Sequence, residues 1–569
     1  MSRVSIFALL TFLLVLIQTS ISSPTAVCSD INALHELKIS SSFKNTIQSY
    51  SFLPKNKIYF VTQEVTFSDW SQSSDFILGH FTEANGGQDQ FKQLFSGEEN
   101  IIKDFVVFDK DSSELFCSAS VHNSAESNYT LSLLTYGKRV PIPYPIPVEN
   151  VYDVNGTVIQ KRTISRVILE DFSYEASRKQ IQLANITPNT TTLSDDTNID
   201  GVIAMLYFSE GSLKLMRGVM RGEGADKKLH PSLTYDWTHL VVPKVVGYSI
   251  DASTYDSILH VHHETNELLV VVTLDRMQQA AFEDVHPGIA LKFNNMMRAP
   301  FVLRFSMDGT LLSATNVIQN TFNDEVSLHV SGIDVRDNKL LVVGNQFPSD
   351  GLHFDHIAGG AYYSVVDLSP GGGAKKFTRS HNFLLSGDDA RYGFIMRDAT
   401  FAPDSESTNI FFFAGDVQKD TKNLYDVEGR VFLSDGTSAL RQIIVGESGS
   451  NIVRKMSRYL DSDTGGESVV LDMHMDAPLS PPEHPDDPQK EPFRKVNAGF
   501  WLMDCSSPDH TMETAAYISF FTILSISLMV FIGAVSAFSV LCVFQEREKR
   551  AKRQANLQGE RAQLVVNRR

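Results

Sequence analysis

Phe301-Val302-Leu303-Arg304-Phe305, closed by Met307-Asp308-Gly309-Thr310, is followed by Gly332-Ile333-Asp334-Val335. Past Asp337-Asn338 comes Lys339-Leu340-Leu341-Val342-Val343-Gly344. These runs are short and rich in Val, Leu, Ile and Phe, and Gly, Asp and Asn bound them. Strands joined by tight turns read this way. Moving outward, the same two phrases recur along the chain. A polar turn leads into an apolar run near Ile58, Leu115, Ile181, Leu268, Leu340, Ile410 and Val469. A second strand phrase falls between them, near Phe76, Leu131, Ile203, Phe301, Tyr362, Val431 and Phe500. The two series alternate at roughly 70-residue intervals, which predicts an all-β body of seven four-stranded units arranged radially, a seven-bladed β-propeller. A ring is the physical solution because a small sheet alone leaves a face bare and its edges unpaired. Two β-sandwich domains, or a ring of six or eight units, are the alternatives for the same pattern.

The phrases around 299–345 and 360–415 resemble the β-propeller repeats of secreted and cell-surface proteins. The residues that carry the likeness are Phe301 to Phe305 with Asp308-Gly309, then Gly332 to Val335, then Leu341-Val342-Val343-Gly344-Asn345-Gln346-Phe347-Pro348. The resemblance covers about two repeats well and implies a ring-shaped binding scaffold. It brings no catalytic residue with it.

Both ends of the chain carry topology signals. Arg3 precedes a mostly apolar stretch from Val4 to Ile17, and Ser20 and Ser22 stand at signal-peptidase spacing. Residues 1–22 therefore read as a secretory signal. Ala515 to Phe544 is a run without charge. As a helix it would be about 45 Å long, against a hydrocarbon core of about 30 Å. The expected membrane helix is 514–544, in contact with lipid. The tail 545–569 holds Arg547, Lys549, Arg550, Lys552 and Arg553 beside it, and positive residues on that flank place the tail in the cytosol. The expected arrangement is single-pass type I. Residues 23–513 are then lumenal or extracellular, at the plasma membrane or in the secretory and endosomal pathway.

Composition narrows the function classes. Of 569 residues, 42% are hydrophobic and 21% charged, which excludes a disordered chain. The formal charge of −17 argues against a nucleic-acid partner. Four cysteines are too few for a disulfide framework, so a packed core must carry the fold. Cys28 and Cys505 stand near the two ends of the body, where an oxidising compartment lets them pair and pin the closing unit. Cys117, within Leu115-Phe116-Cys117-Ser118-Ala119, reads as a buried strand thiol. Asn128, Asn155, Asn185 and Asn189 begin N-x-Thr acceptors for glycosylation.

Chemistry-bearing clusters are few. In His260-Val261-His262-His263-Glu264 the first and third residues share a strand face, so His260 and His262 are a weak candidate metal pair. Asp461-Ser462-Asp463-Thr464-Gly465-Gly466-Glu467 is similar to part of a calcium loop, which makes Asp461 and Asp463 weak candidates and calcium the one cofactor to consider. No nucleophile elbow, zincin motif, Walker loop or dinucleotide fingerprint occurs. The expectation is a non-catalytic membrane glycoprotein of receptor, adhesion or cargo-binding type, with a protein or glycan ligand. The alternatives are a membrane-tethered hydrolase or lyase on a propeller scaffold, and a structural subunit of a membrane complex. Two or more carboxylates converging with a His or Arg in a central funnel is the feature that favours an enzyme.

Overall fold

The computed structural model describes residues 28, 30–39, 44–53, 57–68, 71–82, 87–93, 100–110, 113–125, 128–137, 148–152, 158–173, 181–186, 199–209, 211–222, 231–245, 256–318, 326–347, 360–369, 374–380, 384, 393–403, 409–418, 427–445, 451–460, 466–477, 495–506 and 511–566. The expected signal (1–22), Asn155, Asn189, Asp461 and Asp463 lie outside the described residues. Two compact units are present, Met1–Ser506 and Ser507–Arg569.

The first unit is all-β. Strand β1 (Asp30–Ile39) comes first. One sheet then takes β2 (Lys44–Leu53), β3 (Lys57–Ser68), β4 (Ser71–Thr82), β5 (Gly87–Gln93), β6 (Asn100–Lys110), β7 (Ser113–Ala125), β8 (Asn128–Gly137), β9 (Val148–Tyr152) and β10 (Val158–Ser173), in the order β2-β3-β4-β5-β9-β10-β8-β7-β6. A four-stranded sheet follows, with β11 (Gln182–Asn185), β12 (Ile199–Ser209), β13 (Ser212–Gly222) and β14 (Pro231–Val242) in sequence order. The next sheet holds β15 (Ser257–His262), β16 (Glu267–Asp275), β17 (Met296–Ser306), β18 (Leu311–Asn316), β19 (Val326–Arg336), β20 (Lys339–Phe347), β21 (Ala361–Asp367) and β22 (Ala374–Ser380). Its two halves join where β17 runs parallel to β19 for a few residues. Strands β23 (Gly393–Phe401), β24 (Phe411–Gln418), β25 (Val427–Ser434) and β26 (Ala439–Val445) make a four-stranded meander. The last sheet is β27 (Asn451–Leu460), β28 (Glu467–Ala477) and β29 (Lys495–Ser506), completed by β1. Thus the first strand pairs antiparallel with the last, from Asp30 against Ser506 to Ile39 against Ala498. Cys28 and Cys505 are bonded there, with Cα atoms 5.3 Å apart.

The polar turns do what their residues allow. Asp337 and Asn338 both adopt positive φ (48° and 56°) between the paired residues Arg336 and Lys339. That is the two-residue hairpin whose backbone matches strand twist, and Asp and Asn tolerate it better than most side chains. The apolar runs behind such turns do not alternate in burial. Leu268, Leu269, Val270, Val271 and Val272 on β16 all have no exposed surface. A strand buried at every position must be covered on both faces. Each such sheet is therefore sandwiched, and full burial of a Val or Leu side chain contributes about 1.5–3 kcal/mol. The helical pattern is short here: a 3₁₀ turn at Arg276–Gln278, capped by Asp275, leads into α1 (Gln279–Val285) between β16 and β17.

Side chains clamp one sheet to the next through backbone groups. Asp104 on β6 accepts from its neighbour Phe105 N at 2.9 Å and from Leu183 N on β11 at 2.7 Å. Gln182 on β11 grips β15: its amide donates to Ser257 O and its oxygen accepts from Leu259 N, both at 2.6 Å. Asp334 on β19 accepts from Val335 N at 2.8 Å and Phe401 N on β23 at 2.9 Å. Asp398 on β23 accepts from Ala399 N at 2.9 Å and Met456 N on β27 at 2.8 Å. Hydrogen bonds to a charged acceptor contribute about 1.5–3 kcal/mol each. The clamp at Asp398 leaves no room opposite it. A Cβ on Gly332 would lie 1.9 Å from Asp398 Oδ1 and 2.7 Å from its Cα, so any side chain at 332 pushes β19 off β23.

Some of these acids are held far from water. Burial pushes Asp398 and Asp472 up to about 7. The N–H groups of Met456 and Ala399, with Lys455, oppose the shift at Asp398, and Arg454 and Lys455 oppose it at Asp472. Asp472 Oδ1 has no hydrogen-bond partner among the described residues. With a native pKa above the unfolded one, each acid keeps a proton that the unfolded chain releases. Its favourable contribution is complete below about pH 4 and declines as pH rises to about 7. Burial drives His260, His262 and His286 downward, which works in the opposite sense. Comparing wild type with Asp472→Asn cancels the histidines. The variant is expected to gain stability relative to wild type as pH is raised from about 5 to about 8. A difference in unfolding free energy that stays constant over that range refutes the assignment.

The second unit is one helix, α2 (Thr511–Val566). It is the one helix among the described residues that contains a stretch long and apolar enough to cross a membrane. The helix does not stop at Phe544 but runs through the basic segment to Val566. No proline occurs in 545–566, the helix runs on through Gly559, and the pairs Glu546–Arg550 and Glu548–Lys552 (3.8 and 2.8 Å) support it at i,i+4 spacing.

Candidate functional site

A cavity of about 610 Å³ opens where the ends of several strands meet. β15 supplies His260 and His262, and the turn after it supplies His263 and Glu264. The end of β19 brings Arg336 and the turn residue Asp337; β27 brings Arg458 and β28 brings Glu467. Ala184 and Asn185 at the end of β11 complete one wall.

The floor is a chain of alternating charges. Arg458 Nε and Nη2 donate to the two Asp334 oxygens at 2.8 and 3.2 Å, and Nη2 also donates to Val335 O. Arg458 Nη1 reaches Glu467 Oε1 at 3.2 Å. The other Glu467 oxygen lies 3.3 Å from Arg336 Nη2. Arg336 Nη1 is anchored on Ala402 O at 2.7 Å. Asp334 further accepts from the Thr400 hydroxyl at 2.6 Å. Three sheets, those of β19, β23 and β27–β28, are thus tied at the cleft floor. The four ion-paired side chains there are less than one-fifth exposed, so water screens the pairs only partly.

The imidazoles complete the site. Burial pushes His260 down to about 4, with Asp334 as the main opposing charge. His260 is therefore neutral at neutral pH while its ring lines the cleft. Burial also lowers His262, and Glu264 and Glu267 act against that shift. The His262 ring is held at Nδ1, 2.5 Å from Thr265 Oγ1. A neutral imidazole can take a proton.

The two histidines singled out as a metal pair, His260 and His262, both line the cleft. Among the described residues no group of three or more His, Cys, Asp or Glu is placed to hold a metal ion. Asn185 is exposed on the cleft wall, and Asn128 begins β8. Cys117 on β7 is fully buried, which pushes its thiol up to about 12. Sequence reasoning missed Arg336, Arg458 and the role of Asp334, and saw Glu467 only as the end of an acidic turn. One usable signal was an aspartate followed by an apolar or small residue within a strand, as at Asp104, Asp334 and Asp398.

No protein family matches the chain, and no curated protein is similar to it in sequence. Solved structures are similar in fold at low identity. Sqt1 from Chaetomium thermophilum is 10% identical over 84% of this chain and 99% of its own, with a TM-score of 0.35. An α-L-arabinanase from Penicillium chrysogenum is 8% identical over 83% and 99%, with a TM-score of 0.34. The α-L-arabinofuranosidase Arb93A from Fusarium graminearum is 11% identical over 65% and 89%, with a TM-score of 0.32. The fold is all-β with propeller-like neighbours. Likenesses this slight transfer neither a residue role nor a substrate. One expectation is corrected by the cleft itself: it gathers an imidazole, two guanidiniums and a carboxylate in one concave site, and the reading of a non-catalytic ligand-binding ectodomain is withdrawn. The physical reason it failed is that acid–base groups brought together from distant strands leave no local motif.

Proposed function

We propose that the chain is a membrane-tethered hydrolase whose active site is the cleft between β15, β19 and β27–β28. The observation that carries the reading is the meeting, in one concave site, of the neutral His260 imidazole with the Glu467 carboxylate, which Arg336 and Arg458 clamp. In this scheme His260 takes a proton from water as the water oxygen attacks the scissile carbon. The bond to the leaving group breaks, and the imidazolium returns that proton to the leaving atom. Glu467, fixed by Arg336 and Arg458, holds the cleft floor in place beside the reacting centre.

The scaffold belongs to the same proposal. Seven four-stranded units would be β2–β5, β6-β7-β8-β10, β11–β14, β15–β18, β19–β22, β23–β26 and β27–β29 with β1. The aspartate and glutamine clamps support that ring, since each links one unit to the next. Type I topology, a cleaved signal and glycosylation at Asn128, Asn155, Asn185 and Asn189 complete the picture, with 514–544 in lipid and a basic cytosolic tail.

The test is activity of the purified full-length protein in detergent against aryl esters, glycosides and phosphates. His260→Ala is expected to lower kcat about 100-fold or more on whichever class is cleaved, with the melting transition retained. Cleavage of no class, or a His260→Ala variant as active as wild type, refutes the reading.

A further inference from the structure

Charge at the cleft selects among substrates, and the selection can be read group by group. On the floor stand Glu467 and the guanidiniums of Arg336 and Arg458, and Asp334, outside the lining but paired to Arg458, brings the formal balance of the cluster to zero. The guanidiniums are already occupied. Arg458 donates through Nε, Nη1 and Nη2, and Arg336 through Nη1 to Ala402 O and Nη2 to Glu467. An incoming carboxylate, phosphate or sulfate would have to break these bonds and would meet no lysine among the described residues that line the cavity. At the rim stand Glu264, exposed, and Asp337, whose side chain is 71% exposed and 3.9 Å from Arg336. Both repel an anion on approach.

A cationic substrate fares no better at depth. Rim carboxylates would draw it in, but on the floor its charge would be desolvated over a pair-cancelled surface with no acid to spare. Burying a charge without a partner is expensive. An uncharged molecule with many hydroxyls avoids both penalties. Its hydroxyl groups can donate to the Glu264 and Asp337 carboxylates, and the neutral His260 ring offers one N–H donor and one acceptor nitrogen. The cavity volume of about 610 Å³ is in the range of sites that hold small ligands.

We infer that the cleft accepts an uncharged, hydroxyl-rich substrate, a neutral glycan segment, and discriminates against acidic and amino sugars. This deepens the hydrolase reading and rests on the same site. The experiment uses three aryl glycosides with one leaving group: a neutral hexoside, the matching hexuronide and the matching aminohexoside. The full-length protein in detergent is expected to cleave the hexoside with kcat/KM at least about tenfold above either charged analogue, a difference of about 1.4 kcal/mol. Glu264→Gln with Asp337→Asn is expected to narrow the gap to the hexuronide. Preference for the hexuronide or the aminohexoside overturns the inference while leaving a hydrolase in place.

A second readout does not depend on cleavage. A thiol is placed on the exposed rim by His263→Cys in a Cys542→Ser background, and its alkylation by iodoacetamide is timed with each glycoside present at millimolar concentration. Slowing by the neutral hexoside more than by its charged analogues supports the inference. Protection by a charged analogue alone, or by none of the three, overturns it. If protection is seen without cleavage of any glycoside, the hydrolase reading fails and the ligand class stands.

Discussion

Asp334→Ala is expected to lower the unfolding free energy of the β body by about 3–5 kcal/mol, the range seen when one partner of a buried ion pair is removed. Asp334 is 13% exposed and Arg458 19%. The truncation leaves the Arg458 guanidinium with only Glu467 and Val335 O, orphans Phe401 N and leaves the Thr400 hydroxyl with the longer contact to Phe401 O at 3.3 Å. Three sheets then lose their common anchor. Chemical denaturation of the full-length protein measures the effect. Two comparisons isolate the cause. Asp337→Asn, at the exposed end of the same cluster, keeps a side chain that tolerates the positive φ there and is expected to change stability by less than about 0.5 kcal/mol. Asp334→Leu combined with Arg458→Met is expected to recover much of the loss, because no uncompensated charge remains. A single Asp334→Ala loss below about 1 kcal/mol would mean that the network is solvent-screened and structurally idle.

Cys505→Ser is the second large effect, about 3–5 kcal/mol of stability lost. The bond joins residues 477 apart in sequence. A cross-link over so long a loop removes much of the freedom of the unfolded chain, while the folded pairing of β1 with β29 is held by its own hydrogen bonds. The variant should therefore keep the wild-type strand content and lose its margin. Denaturation under reducing conditions is expected to bring wild type to the level of the variant and to leave the variant unmoved. Cys28 is only 3% exposed, so reduction follows opening of the closing sheet and is slow in native buffer. A variant as stable as wild type in oxidising buffer contradicts the expectation.

What could be read from residues alone divides by distance along the chain. Strands, hairpin turns such as Asp337-Asn338 and the apolar stretch near the carboxyl end are local, and their periodicity and turn chemistry announce them. The cleft floor is different. Arg458 meets Asp334 across 124 residues, and nothing near either residue marks the partner. His260 and His262 were singled out for being neighbours on a strand face, which suggested a shared metal. The folded chain instead places them beside guanidiniums and carboxylates from other sheets. The continuation of α2 to Val566 was missed for another reason. A polar, charged segment looks like a tail when judged by hydrophobicity, yet its i,i+4 charge pairs and lack of proline favour helix.

The joined first and last strands have a mechanical consequence. Traction transmitted up the polypeptide from residue 507 reaches the body at Cys505, one residue inside its last strand. The covalent link to Cys28 divides that load between β29 and β1, which lie side by side and antiparallel. Neither strand can be peeled from the other at this end, so a tug at this terminus loads the pair together against the ladder between β29 and β28.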